Sequence, residues 1–147
     1  MIIIGSDHGG FELKEELKKY LDEKDIEFLD VGTKNKERAE YPDIATLLCE
    51  KVKKNKNNQG ILICRSGIGM SIAANKFKGI RCGLCTTEED AKFAKMHNDC
   101  NVISMGADRI STHTAVCIVR MFLATSFEGG RHLDRVNMIT DIEKLNK

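Results

Sequence analysis

The sequence predicts an α/β fold with a parallel sheet covered by helices, and three observations support it. Short runs of β-branched and aliphatic residues recur along the 147 residues without polar alternation, which fits strands buried on both faces. Longer amphipathic segments separate them, and strands alternating with helix-length segments call for parallel pairing. The length suits one domain with a sizeable core, so residues 1–147 are expected to form a single domain.

Met1–Gly5 is expected to be the first strand. Leu13, Leu17, Tyr20 and Leu21 then match the i, i+4, i+7, i+8 face of a helix, with Phe11 at its start just past Gly9-Gly10. Ile26–Val31 predicts a second strand, and Tyr41–Val52 a helix that begins around the only proline, Pro42. Gly60–Cys64 predicts a short third strand, apolar on both faces. Ile68–Phe77 then reads as a helix, Ile80–Cys85 as a strand and Glu88–Met96 as a helix. Asn101–Met105 completes a fifth strand, followed by helices over Thr112–Leu123 and from about Arg131 to Leu145. The expected whole is a Rossmann-like three-layer fold, a five-stranded parallel sheet with helices on both faces.

Composition removes several function classes. A hydrophobic content of 41% with 31% charged residues and one proline excludes collagen, a disordered linker and a disulfide-stapled miniprotein. Lys plus Arg number 23 against 22 Asp plus Glu, so no bulk charge is available to hold nucleic acid or an anionic membrane. The basic stretch Lys51–Asn58 lacks interleaved aromatics and reads as a solvated helix end and turn. No apolar run approaches the roughly 20 residues of a membrane span. The N-terminal Met1-Ile2-Ile3-Ile4-Gly5-Ser6-Asp7-His8 turns polar too soon for an export signal, which predicts a cytoplasmic protein. Its six cysteines, at 49, 64, 82, 85, 100 and 117, are then expected as free thiols.

In open parallel sheets, ligands bind beyond the carboxyl ends of the strands. Two such ends carry reactive residues: Gly5-Ser6-Asp7-His8-Gly9-Gly10 after the first strand, and Cys64-Arg65-Ser66-Gly67-Ile68-Gly69-Met70-Ser71 after the third. The second is a strand, a glycine-bearing turn and a helix start, whose free amides favour an anion. Three familiar loops fail by counting. A dinucleotide fingerprint needs glycine where Ile72 stands, and a P-loop needs Gly-Lys-Ser/Thr, which is absent. A cysteine-phosphatase loop would resemble Cys followed six residues later by Arg, and that position is Met70. What remains is a thiol beside a nest of amides, with Arg65 next in sequence, a setting that favours the thiolate. Cysteine is also a common small residue in buried strands, but position and loop agree on the reactive reading.

His97 has the titration range for proton transfer, and it lies before the fifth strand, at the sheet edge opposite Cys64. If both serve one site, His97 must come from a neighbouring subunit. Asp7 and His8 lie at the favoured edge. Arg131 and Arg135, four apart, share a helix face and could grip one phosphate, or simply face solvent. Cys82 and Cys85 are three apart in a strand, so they point to opposite faces, which speaks for packing over a zinc or redox pair. The Met and Phe residues read as core filling.

Over essentially the full chain the sequence resembles the type B ribose-5-phosphate isomerases. The resemblance runs through Gly5–Gly10, Tyr41-Pro42, Gly60–Cys64, Ser66–Gly69, Ser71–Lys76, His97–Val102 and Glu128–His132. It implies reversible conversion of ribose 5-phosphate to ribulose 5-phosphate without metal or cofactor. Isomerisation of a six-carbon allose or galactose 6-phosphate is the near alternative, and a non-catalytic phosphate- or nucleotide-binding module the remote one. By the same resemblance Cys64 moves a proton between C2 and C1, and the amides of Arg65, Ser66, Gly67, Ile68 and Gly69 stabilise the enediolate. His97 assists furanose opening, Asp7 orients sugar hydroxyls, and His8, Arg131 and Arg135 hold the phosphate. Tyr41, Ser71 and Asn98 complete the substrate contacts. The family is dimeric or tetrameric, with active sites shared between subunits.

Two positions depart from the family pattern. Arg65 stands where a small residue, usually glycine, is common. Asp108 stands where an arginine is frequent, with Arg109 adjacent. The branch that uses a glutamate base would carry it at Met70, which favours Cys64 in this chain.

Overall fold

The computed structural model describes residues 1–146. Five parallel strands, β1 (Ile2–Ser6), β2 (Phe28–Asp30), β3 (Gln59–Cys64), β4 (Cys82–Leu84) and β5 (Val102–Gly106), lie in the order β2-β1-β3-β5-β4. The helices are α1 (Phe11–Glu23), α2 (Tyr41–Val52), α3 (Ile68–Ala74), α4 (Glu88–Met96), α5 (Thr112–Ala124) and α6 (Arg131–Glu143). A 3-10 turn, His8–Gly10, links β1 to α1.

The apolar strand runs divide by parity. Ile2, Ile4, Ile61, Ile63, Ile103 and Met105 pack with α1, α4 and α5. Ile3, Leu62, Cys64 and Val102 point the other way, into the layer of α2 and α3. This is the period-2 geometry of a strand buried on both sides. The helix layers follow from the crossovers. Connections from β2 to β3 and from β3 to β4 run one way across the sheet and carry α2 and α3. Those from β1 to β2 and from β4 to β5 run the other way and carry α1 and α4, as one constant crossover hand requires.

Helix limits match the sequence where local caps set them. Pro42 opens α2. Thr87 and Asp90 form a capping box that starts α4 at Glu88. Elsewhere long-range contacts shorten the expected elements. The helix expected to reach Phe77 stops at Ala74, because the next residue, Asn75, gives its side chain to both backbone groups of Cys82. The strand expected over Ile26–Val31 is only Phe28–Asp30, and that over Ile80–Cys85 only Cys82–Leu84; both lie at sheet edges and pair on one side. The last helix ends at Glu143, two residues before Leu145. Not every Met and Phe fills the core: Met70, Met105 and Phe122 do, whereas Phe93 and Met138 are exposed.

Lys14 on α1 is fully buried. Its ammonium donates to both carboxylate oxygens of Asp30, at 2.8 and 2.7 Å, and to the Thr33 carbonyl. Burial pushes the Asp30 carboxyl up, but hydrogen bonds from Lys14, Lys18 and the Gly32 amide outweigh it and hold the group below its ordinary range. Replacing Lys14 by alanine leaves these acceptors short of a donor and is expected to cost about 3 kcal/mol in urea unfolding at pH 7. A carboxyl lowered on folding stabilises the native state above its unfolded value, near 4, and that stability is lost as pH falls through the folded value. The difference between wild type and Asp30→Asn should therefore shrink as unfolding is repeated at progressively lower pH.

Candidate active site

Strand order reverses between β1 and β3, so their carboxyl ends flank a crevice of the kind that takes ligands in open α/β sheets. Ser6 is level with Ile63, which sets Asp7 beside Cys64. The Asp7 amide donates to the Ile63 carbonyl, and its carboxylate caps the 3-10 turn by accepting from Gly10 at 3.1 Å. His8 follows, its Nδ1 accepting the Ala39 amide at 3.2 Å, which leaves Nε2 for the crevice.

Cys64 ends β3 at 5% exposure. The Gly67 amide donates to its Sγ at 3.2 Å, closing a small ring around the sulfur. That geometry needs a left-handed residue, and Gly67 has φ of 79°. A side chain there would also meet the Met105 carbonyl carbon at 2.8 Å. From β5, the buried Ser104 hydroxyl donates to the Gly67 carbonyl at 3.0 Å and fixes the turn. The Ile68 amide donates to Ser66 Oγ. Ser71 lies one turn on from Gly67, its amide donating to the Gly67 carbonyl. Tyr41, the first residue of α2, lays its ring against Gly69. The structure thus brings Asp7, His8, Tyr41, Cys64 and the Arg65–Gly69 loop to one edge. The Arg65 guanidinium leaves the sulfur's side and pairs with Asp108 at 3.5 Å.

His97, Asn98, Arg131 and Arg135 gather elsewhere. His97 caps α4 at the amino end of the sheet. Gly60 of β3 is level with Val102, the first residue of β5, and Cys64 lies four residues further along, about 13 Å at ~3.3 Å per residue. Asn98 sits in the turn after His97, its carbonyl accepting from Arg81 at 3.0 Å. Arg131 and Arg135 are exposed on the first turns of α6.

Two residues without a role assigned from the sequence join this second group. The His97 ring stacks on Phe93 at 4.8 Å and on His132 at 4.3 Å, the two imidazoles within 11° of parallel. Glu128 places one carboxylate oxygen 3.8 Å from His97 Nε2 and the other 3.9 Å from His132 Nε2. Burial, then the neighbouring His97, lowers the His132 value, with Glu128 opposing. Their signal was present: Glu128 and His132 are four apart and surround the Gly129-Gly130 turn. These three side chains carry metal-ligand atoms within 4.8 Å of one another. Near-parallel rings, however, keep their in-plane lone pairs from meeting at a common point, which disfavours a metal cage. Cys82 faces the α2/α3 layer and Cys85 the α1/α4/α5 layer, as the strand spacing predicted.

Comparison with known proteins gives one answer. Residues 2–139 match the family described as Ribose/Galactose Isomerase. Ribose-5-phosphate isomerase B of Escherichia coli is 43% identical over 143 residues, covering 97% of this chain and 96% of that protein. Ribose-5-phosphate isomerase B of Clostridium thermocellum superposes with a TM-score of 0.97 at 42% identity, over 99% of both chains. The Mycoplasma genitalium enzyme, solved with bound ribulose 5-phosphate, superposes with a TM-score of 0.93 at 39% identity, over 97% of this chain and 95% of that one.

Proposed function

The chain belongs to the ribose/galactose isomerase family, and from that membership we propose that it interconverts ribose 5-phosphate and ribulose 5-phosphate through an enediolate, with Cys64 as the base. The observation that carries the reading is the Cys64 sulfur, held by the Gly67 amide in the crevice between β1 and β3.

A C–H bond next to a carbonyl is weakly acidic, so base and charge stabilisation must act together. The thiolate takes the proton from C2 and returns it to C1. Once the sulfur is protonated it needs the Gly67 N–H less, and that donor becomes available to the enediolate oxygen with the other amides of Arg65 through Gly69. Asp7 orients the sugar hydroxyls. His8 takes the phosphate, which fixes the reacting carbons against the sulfur.

His97 as the ring-opening acid, with Asn98, Arg131 and Arg135 at the substrate, requires a second copy of the chain. The two groups of residues occupy opposite ends of one parallel sheet, so a dimer that faces one end against the other completes both sites. Helix α6 supports this assembly. It buries only His132 and Val136 against its own chain and leaves Leu133, Met138, Ile139 and Ile142 exposed, an apolar surface suited to another protomer. Among the described residues no helix is long and apolar enough to cross a membrane. We place the protein in the cytoplasm, in accord with its free thiols.

The test is formation of ribulose 5-phosphate from ribose 5-phosphate with excess chelator present. Turnover at the same rate with and without chelator is expected. Phosphate binding without turnover would sink the proposal in favour of a binding module. Higher kcat/KM on allose 6-phosphate than on ribose 5-phosphate would move the substrate to six carbons.

A further inference from the structure

We propose that the Arg65 guanidinium, held in place by Asp108, is a phosphate ligand at the His8 end of the crevice. This rests on the sugar-phosphate reading above and extends it to a side chain that reading leaves idle.

The neighbours of Arg65 fix where its charge goes. Its backbone carbonyl accepts the Asp108 amide at 2.9 Å, and its Nη1 lies 3.5 Å from the Asp108 carboxylate. The loops after β3 and β5 therefore grip the residue at both ends. Its aliphatic stem crosses Gly9, the residue after His8. A Cβ on Gly9 would fall 2.5 Å from Arg65 Cγ and 3.1 Å from Nε, so glycine there makes room for the stem. The cation is thereby carried away from the sulfur and over the His8 turn.

Charge balance points the same way. A lone Asp108 at this rim would repel a phosphate dianion, and the guanidinium cancels it. A guanidinium has five N–H donors, and a contact to one carboxylate leaves several free. The side chain is 63% exposed, so those donors are open to solvent at the rim formed by Gly9 and Asp108. Within one protomer the arginines of α6 lie at the far end of the sheet, whereas Arg65 follows the base directly. Phosphate binding persists through the reaction, so this contact acts on substrate affinity more than on the chemical step. Asp108 is a positioning residue: it works through Arg65.

The experiment compares wild type with Arg65→Gln, Arg65→Lys, Asp108→Asn and the double variant Arg65→Gln/Asp108→Asn. Arg65→Gln should raise KM for ribose 5-phosphate about tenfold or more with kcat within about threefold, and weaken inhibition by inorganic phosphate in parallel. Arg65→Lys should recover part of the loss. Asp108→Asn should raise KM by a smaller factor, and only when Arg65 is present. Unchanged KM and unchanged phosphate inhibition in Arg65→Gln would overturn the proposal. So would a fall in kcat alone. Calorimetric titration with inorganic phosphate separates the two claims. If wild type fails to isomerise ribose 5-phosphate, the functional reading falls, while phosphate affinity in Arg65→Gln still decides the role of Arg65.

Discussion

Replacing Cys64 by alanine is expected to lower kcat for ribose 5-phosphate by roughly a thousandfold and to stop exchange of the C2 proton with solvent. No other side chain of the crevice combines burial, a directed backbone donor and a position beside the amide-rich turn. Asp7 spends one carboxylate oxygen on the 3-10 turn, and His8 is tied by Nδ1 to Ala39. Alanine keeps the Cβ and removes a single sulfur, so the melting curve should stay close to that of wild type. Exchange measured by NMR in deuterium oxide reports the proton transfer directly. Substantial exchange in a well-folded Cys64→Ala protein would transfer the base to another residue.

The second large effect concerns assembly. His97→Asn should also be nearly inactive on the closed sugar ring, with kcat down about a hundredfold, because an amide cannot supply the proton that opens the furanose. A mixture of Cys64→Ala and His97→Asn proteins should nevertheless recover activity. If each site draws Cys64 from one protomer and His97 from the other, a mixed dimer contains one intact site and one doubly damaged site. Random exchange of subunits then restores about a quarter of wild-type turnover. No recovery after demonstrated exchange would place both residues in one chain's site and refute the shared arrangement.

Much of the fold was legible because local chemistry wrote it. Proline and the Thr87–Asp90 box fix the starts of α2 and α4 within the sequence itself. Cys64 was legible for a positional reason: it ends an apolar run and precedes a glycine-bearing turn. The order in which the strands lie side by side was not legible, since β4 and β5 exchange places through packing that no short window encodes. The end of α3 was hidden for the same reason, because Asn75 meets Cys82 only after the chain returns. The His97–His132 stack and the Arg65–Asp108 pair were likewise invisible. Each joins residues far apart in sequence that only the folded chain brings together.

Sulfur is plentiful in this chain, yet the fold treats its six thiols unequally. Burial pushes Cys49 and Cys85 up to about 12 and Cys100 to about 11, and drives Cys82 further in the same direction. These four are inert toward electrophiles at neutral pH. Cys117, partly exposed on α5 between His113 and Arg120, is open to reagents from outside. With Cys64 as the base proposed above, a small alkylating agent would have two addresses on each chain, one on the outer surface and one in the crevice. An electrophile shaped like a pentose phosphate would discriminate between them, and its covalent adduct at the inner address would make an inhibitor whose selectivity comes from the architecture around the thiol.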